Sequence, residues 1–418
     1  MKNLKSFYLL ALAAALAFAG CKKDDGGNPL PGTLTIEKTE YALDAVENRT
    51  ATVAFTAAAG WALSVVYDDA ESAADWLTVT PASGTAGEQT VELSATRNYR
   101  TSARTAYADL ACGEQSVRLT VTQAAASDDT DFTTLFDPDF AKELQKQGII
   151  ADAENITPED MEKIATMTEL DVSGTYENPG TLTSLQGIEY FESLRKLDCS
   201  DTDLTELVIR NNPTLIELHC SSDPITSLDV SGCTALKTLT CYNSELASLN
   251  VSGCTSLQEI MAYRAQLTSL DVSGCSSLQY LDCNENGLTS LKLSGSSPLQ
   301  HLSCNKNGLT ALSLSGCTSL TEVDCTDNQL TELDFSGCTS LIILSCYNNQ
   351  LTTLNLSNCT SLMELASDSN QLPSLDISTC TKLRTLMCEN NPGDGVSTFP
   401  ITAWFDNSNI LSRPEKGL

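Results

Sequence analysis

From Leu194 to Asn391 the chain repeats itself with a period of 21 residues. Ten segments follow the template Leu-x-x-Leu-x-Cys-x-x-Asn-x-Leu, among them "LQYLDCNENGL" (Leu278–Leu288) and "LQHLSCNKNGL" (Leu299–Leu309). A unit this short cannot enclose a core of its own. Its apolar positions are buried only when successive units stack as coils, so the period dictates a solenoid in which each coil touches its neighbours.

The same period sorts the cysteines. Fifteen of the 17 fall into two columns. The first runs from Cys199 to Cys388 and is interrupted by Ala262 and Ser367; the second runs from Cys233 to Cys380 and is interrupted by Ser296. Coils about 4.8 Å apart would bring column neighbours within the Cα range of a disulfide, but side chains in register point the same way. The interruptions decide the matter. Ala262 replaces a cysteine while Cys254 and Cys275 both remain, and Ser296 appears without the loss of Cys283 or Cys304. Bonded partners would disappear together. Cys, Ala and Ser share small size, so the columns are expected to be reduced, buried packing residues that ladder from coil to coil. They offer no tetrahedral metal grouping. With only two histidines, His219 and His301, the chain has little material for a His-based zinc site or a Ser-His-Asp triad.

The period, the cysteine and the entry segment "GIEYFESL" (Gly187–Leu194) together resemble internalin-like leucine-rich repeats of the cysteine-containing kind. A second ladder is expected from Asn286, Asn307, Asn328, Asn349, Asn370 and Asn391, which the resemblance assigns to bonding the turn backbone. The earlier coils carry Thr202, Asp223, Ser244 and Ala265 at that position and are expected to be less regular.

Residues 33–124 read differently. Short runs alternate apolar and polar, as in "TATVAF", "QTVELSAT" and "SVRLTVTQ", the pattern of an antiparallel β-sandwich. The segment Trp76-Leu77-Thr78-Val79, then Pro81 and Ser83-Gly84, with Gln123 closing the last strand, resembles the BACON domain. That resemblance implies an immunoglobulin-like sandwich that binds glycan or mucin or serves as a spacer. Trp61 and Trp76 each lie in an alternating apolar run, which favours the core over a sugar-stacking surface.

The N-terminus, "MKNLKSFYLLALAAALAFAGC", has two lysines, a short apolar run and small residues before Cys21, the form of an export signal. Phe18-Ala19-Gly20-Cys21 resembles a bacterial lipobox, with Phe18 where leucine is usual. The "KKDDGGN" that follows resembles the export tag of Bacteroidetes surface lipoproteins. The resemblance implies cleavage before Cys21, acylation of its thiol and display on the outer membrane, where several acyl chains hold firmly. The expected organisation is a signal peptide over 1–20, a lipidated tether over 21–32, the BACON-like sandwich over 33–124 and a linker over 125–131. A helical cap over 132–165, a repeat array over 166–395 and a C-terminal cap over 396–418 complete it. In the helical cap, Thr157 is the expected N-cap with Pro158 at the first helical position. Phe399, Trp404 and Phe405 are expected to cover the open end of the array.

A formal charge of −30 argues against nucleic acid as a partner. No close acid pair, nucleophile elbow or ligand cluster stands out, and the acids of "DDTD" (Asp128–Asp131) lie in the linker. The chain is therefore expected to be a non-enzymatic surface protein without a cofactor. Its repeats would bind a host or environmental protein or glycan; the alternative is glycan capture by the BACON-like domain within a carbohydrate-uptake system. By alternation, residues three before, one before and one after the first cysteine column face outward on the concave sheet. There Tyr242 and Tyr263 share one column, Tyr280 and His301 another, and Met261 lies between them. Ile343 and Tyr347 form a second, smaller patch. These seven are the candidate ligand-binding residues.

Overall fold

The computed structural model describes residues 34–67, 76–127, 129–209, 212–293, 298–314 and 317–393, with the backbone of Ile401–Thr402. The leader, Cys21 and the tether, together with Asp128, Ser296, Phe399, Trp404 and Phe405, lie outside the described residues. The chain divides into two compact units, residues 1–98 with 104–124 and residues 99–103 with 125–418.

The first unit is a two-sheet sandwich. One sheet has the order β1 (Thr35–Ile36), β3 (Thr50–Ala57), β7 (Gly87–Ala95), β5 (Leu77–Thr80). The other has β2 (Glu40–Leu43), β9 (Gln115–Gln123), β8 (Arg104–Cys112), β4 (Trp61–Tyr67), β6 (Ser83–Gly84). The alternation read from the sequence becomes alternate burial: in β3, Val53, Phe55 and Ala57 point inward while Thr52, Ala54 and Thr56 face out. Both tryptophans are core residues, Trp61 4 % and Trp76 1 % exposed. Phe55 meets Trp61 edge-on at 4.9 Å, and the Arg104 guanidinium lies 4.6 Å over Trp76. A Cβ on Gly84 would stand 2.7 Å from the Trp61 indole, so only glycine lets that strand approach. Gln123 is fully buried, and its amide donates to Asp44 O, Ala45 O and Thr96 O at 3.0, 3.3 and 2.9 Å. It also accepts from Arg104 Nε at 2.8 Å, locking the end of β9.

The second unit begins with the helices α1 (Pro138–Lys146) and α2 (Pro158–Thr166). Thr157 caps α2 through a capping box with Asp160, as its sequence predicts. Phe140 is fully buried and stacks obliquely on Phe191 at 6.2 Å, covering the first coils. The array follows as an eleven-stranded parallel sheet. Its register advances 21 residues per strand, Lys196 pairing with Glu217 and Glu217 with Thr238. The sheet starts one coil earlier than the cysteine template does, at Glu169–Asp171. That coil escapes the template because Val172 stands in the cysteine position, with its N–H donating to Asp198 O at 2.8 Å. A second parallel ladder forms along another edge of the coils. It is interrupted, surviving as separate pieces such as Ser227–Asp229 beside Ser248–Asn250 and Glu332–Asp334 beside Thr353–Asn355.

All sixteen described cysteines are buried thiols, with no disulfide among them. They do more than fill space. In the first column each thiol reaches the next coil, Cys220 Sγ to Thr240 O at 3.5 Å and Cys283 Sγ to Ser303 O at 3.5 Å. In the second column the thiols reach backward, Cys254 Sγ to Val230 O at 3.1 Å and Cys359 Sγ to Phe335 O at 3.4 Å. Ser367 makes the equivalent bond to Met387 O at 3.3 Å, which explains why serine fits the column. Burial pushes the thiols up, Cys241 and Cys346 to about 12, so no thiolate is available at neutral pH. Alkylation of the native protein should therefore leave these positions unmodified, while denaturation without reductant should release sixteen reactive thiols if Cys21 carries lipid. Finding most of them oxidised would defeat the ladder. Cys325→Ser should cost little, whereas Cys325→Leu should lose about 1–3 kcal/mol through overpacking, read as a shift in urea midpoint.

The asparagine ladder is a tighter clamp than the cysteines. Asn328 Oδ1 accepts from Leu309 N of the preceding coil at 3.0 Å. Its Nδ2 donates to Cys304 O of that coil at 3.0 Å, and to Cys325 O and Thr326 O of its own at 3.1 and 3.0 Å. Asn286, Asn307, Asn349, Asn370 and Asn391 repeat this pattern. The earlier coils have only fragments of it. Thr202 and Ser244 donate to Cys199 O and Cys241 O at 3.0 and 2.7 Å, and Ala265 has nothing to offer. Asp223 is 2 % exposed. Its Oδ1 accepts from Thr202 N and Thr202 Oγ1 at 2.8 and 2.6 Å, while Oδ2 has no hydrogen-bond partner. Just before this column the backbone turns through the left-handed region in ten successive coils, at φ between 51° and 61° from Asp201 and Ser222 to Asn390. None of the ten is glycine, and Arg264, Glu285 and Lys306 are among them.

Candidate functional site

The long sheet exposes three residues per coil on its solvent side: three before, one before and one after the inward first-column position. Register sets them in rows. Tyr280 pairs with His301, Glu259 with Tyr280, and Met261 with Asp282. Strands spaced about 4.8 Å apart make like neighbours stack. Tyr242 and Tyr263 lie face to face at 4.6 Å with 3° between planes, and Tyr280 and His301 at 4.4 Å with 4°. All four rings and Met261 are half-buried. Of the smaller patch, Tyr347 is 37 % exposed and Ile343 half-buried, three coils beyond Tyr280. The seven residues named from the sequence thus occupy one face, five of them in a continuous group.

Stacking fixes what the rings present. Each ring gives one face to its partner, and the separation follows the strand-to-strand direction, so edges and hydroxyls point toward solvent. The flanking positions are acidic. Glu259 precedes Tyr280 in its row and Glu322 follows His301, with His301 Nδ1 3.3 Å from Glu322 Oε2. Burial raises the Tyr280 hydroxyl above its ordinary range, and Asp282, Glu259 and Glu322 add to the shift. Burial likewise raises Asp282, where the Asn284 N–H and His301 oppose the shift and Asp324 and Glu285 reinforce it. These acids share columns with the aromatic residues, but in the sequence they read as ordinary solvated positions. Among the described residues no group of three histidine, cysteine or acidic side chains is placed to hold a metal ion, and no helix is long and apolar enough to cross a membrane.

Residues 33–126 match the family described as Viral BACON domain, and residues 299–338 match Leucine Rich repeats (2 copies). No protein of curated function matches the chain in sequence. Among solved structures, the chain is similar to the functional domain of InlJ from Listeria monocytogenes, described as including a cysteine ladder. The identity there is 28 %, the TM-score 0.45, and the coverage 63 % of this chain and 66 % of that one. It is also similar to YopM from Yersinia enterocolitica at 20 % identity and a TM-score of 0.31, covering 60 % of this chain and 65 % of that one. The chain spans just under two thirds of the length of each.

Proposed function

We propose that this chain, which joins a BACON-type sandwich to an array of leucine-rich repeats, is a non-catalytic recognition protein. Its working surface is the solvent side of the long sheet. The observation that carries this reading is the pair of aromatic stacks, Tyr242 on Tyr263 and Tyr280 on His301, set on rigid strands rather than loops. Aromatic side chains held at low conformational cost are the usual anchors of protein interfaces. The sandwich supports glycan capture less well, because Trp61 and Trp76 are both committed to its core. Replacing Tyr242, Tyr263 and Tyr280 together with Ser should leave the unfolding midpoint close to that of the parent. Binding to extracellular proteins presented on an array should weaken by about tenfold or more; full retention would place the site elsewhere.

The same reading makes the protein a lipid-anchored surface protein, on the strength of Phe18-Ala19-Gly20-Cys21 and the acidic stretch behind it. Cys21→Ala should abolish palmitate labelling and release the protein from membranes. Deleting residues 22–25 should keep the lipid and remove protease accessibility on intact cells. Accessibility that survives this deletion would refute the export tag.

A further inference from the structure

The aromatic stacks sit in an acidic field that the sheet itself leaves uncompensated. At the outward positions around them stand Glu217, Glu259, Asp282, Glu322, Asp324 and Glu364. The one lysine at such a position among the described residues is Lys196, and it is already 3.4 Å from Glu217. Glu259 and Asp282 make no ion pair among the described residues, although Arg264, Lys292 and Lys306 find acids elsewhere on the coils. We propose that this face binds a cationic polypeptide, a protein segment whose lysine and arginine heads meet Glu259, Asp282 and Glu322 while their alkyl stems lie along the ring edges and Met261.

Three observations select this partner. The first is ring presentation. A sugar laid on an aromatic residue uses the open ring face, and here one face of each ring is taken by its stacking partner. What remains is a ridge of edges and hydroxyls, which suits extended alkyl stems that end in charge. The second is field direction. Asp282 and the Tyr280 hydroxyl are both held above their ordinary ranges, by burial first and then by surrounding acids. A cation arriving between them relieves that repulsion, whereas an anionic glycan or a second copy of this chain would add to it. The third is net charge: at −30, the protein steers basic partners inward and repels acidic ones before contact.

The inference rests on the recognition role proposed for this face, and its test separates the two. The probes are a synthetic peptide alternating Lys and Leu, its Glu and Leu counterpart, and a panel of neutral and acidic oligosaccharides, offered to the whole protein at physiological salt. The cationic peptide should bind and the other probes should not. Glu259→Gln, Asp282→Asn and Glu322→Gln together should weaken binding by about tenfold or more. Glu332→Gln, Asp334→Asn and Asp376→Asn remove the same charge from the other ladder and should change it by less than about twofold. Equal losses in the two sets would show attraction by net charge alone and overturn the proposal, as would failure of the cationic peptide to bind. If an oligosaccharide binds instead and is lost in the triple tyrosine variant, the face stands as the binding surface and its cationic partner does not. If no probe responds to the tyrosines, both readings fall.

Discussion

Asn328→Leu is expected to destabilise the array by about 4 kcal/mol, read as a fall in urea midpoint at unchanged slope. The size follows from what the side chain holds. Leucine nearly matches asparagine in volume, so it leaves no large cavity. It does strand the N–H of Leu309 and the carbonyls of Cys304, Cys325 and Thr326, all of which Asn328 now satisfies. The site is 8 % exposed, which leaves water poorly placed to replace those bonds. Each buried group left unmade costs about 1–3 kcal/mol, and some will find partial substitutes. The neighbouring Gln329 is exposed, and Gln329→Leu should stay within about 0.5 kcal/mol. A loss below about 1 kcal/mol at Asn328 would mean that the ladder decorates the turn without holding it.

Asp223→Asn should do the opposite and stabilise the protein at neutral and alkaline pH. Burial raises the Asp223 carboxyl to about 7, opposed by the two bonds from Thr202 and reinforced by the nearby charges of Asp201 and Asp198. Ionisation therefore disfavours the folded state. The wild-type array keeps its full stability below the unfolded-state value near 4, loses it progressively as pH rises toward 7, and is flat beyond. A shift of this size corresponds by linkage to roughly 4 kcal/mol as an upper figure. An amide removes the penalty and supplies a donor where Oδ2 has none, as the later coils already do. The variant should exceed the wild type by about 2–4 kcal/mol at pH 8 and converge with it below pH 4. Comparing urea midpoints of the two proteins across that range isolates this residue from other titrating acids. A constant difference, or none, would show that Asp223 is not the group that titrates.

What the sequence could reveal tracks what periodicity can encode. Leu281 and Cys283 point inward because two-residue alternation and the 21-residue period agree on them, and Tyr242 stacks on Tyr263 because equal positions in adjacent coils are neighbours. The first coil was hidden because Val172 replaces cysteine without any change of geometry. The left-handed residues were hidden for a different reason. Arg264 and Lys306 have no preference for φ near 51°, and nothing in their identity announces it. The conformation is imposed by the bonds around them, including Asn286 Nδ2 to Cys283 O and Asn284 O at 3.0 and 3.1 Å. Asp223 was visible as a departure from asparagine, but its burial and its idle oxygen depend on Thr202 one coil away. The acids beside Tyr280 looked like solvent-facing filler, and only their row neighbours give them a role.

The coil-to-coil register also has a mechanical consequence. Every coil is bound only to the one before and the one after, through laterally arranged bonds that repeat at each step. Tension applied between the two ends of the array loads these bonds in series, beginning at the terminal coil. Once that coil peels away it releases one 21-residue period, a length of about 70 Å when extended, in place of a rise near 5 Å. Extension then proceeds in equal steps at nearly constant force. Such an array yields under shear by lengthening, while the coils not yet reached keep their shape.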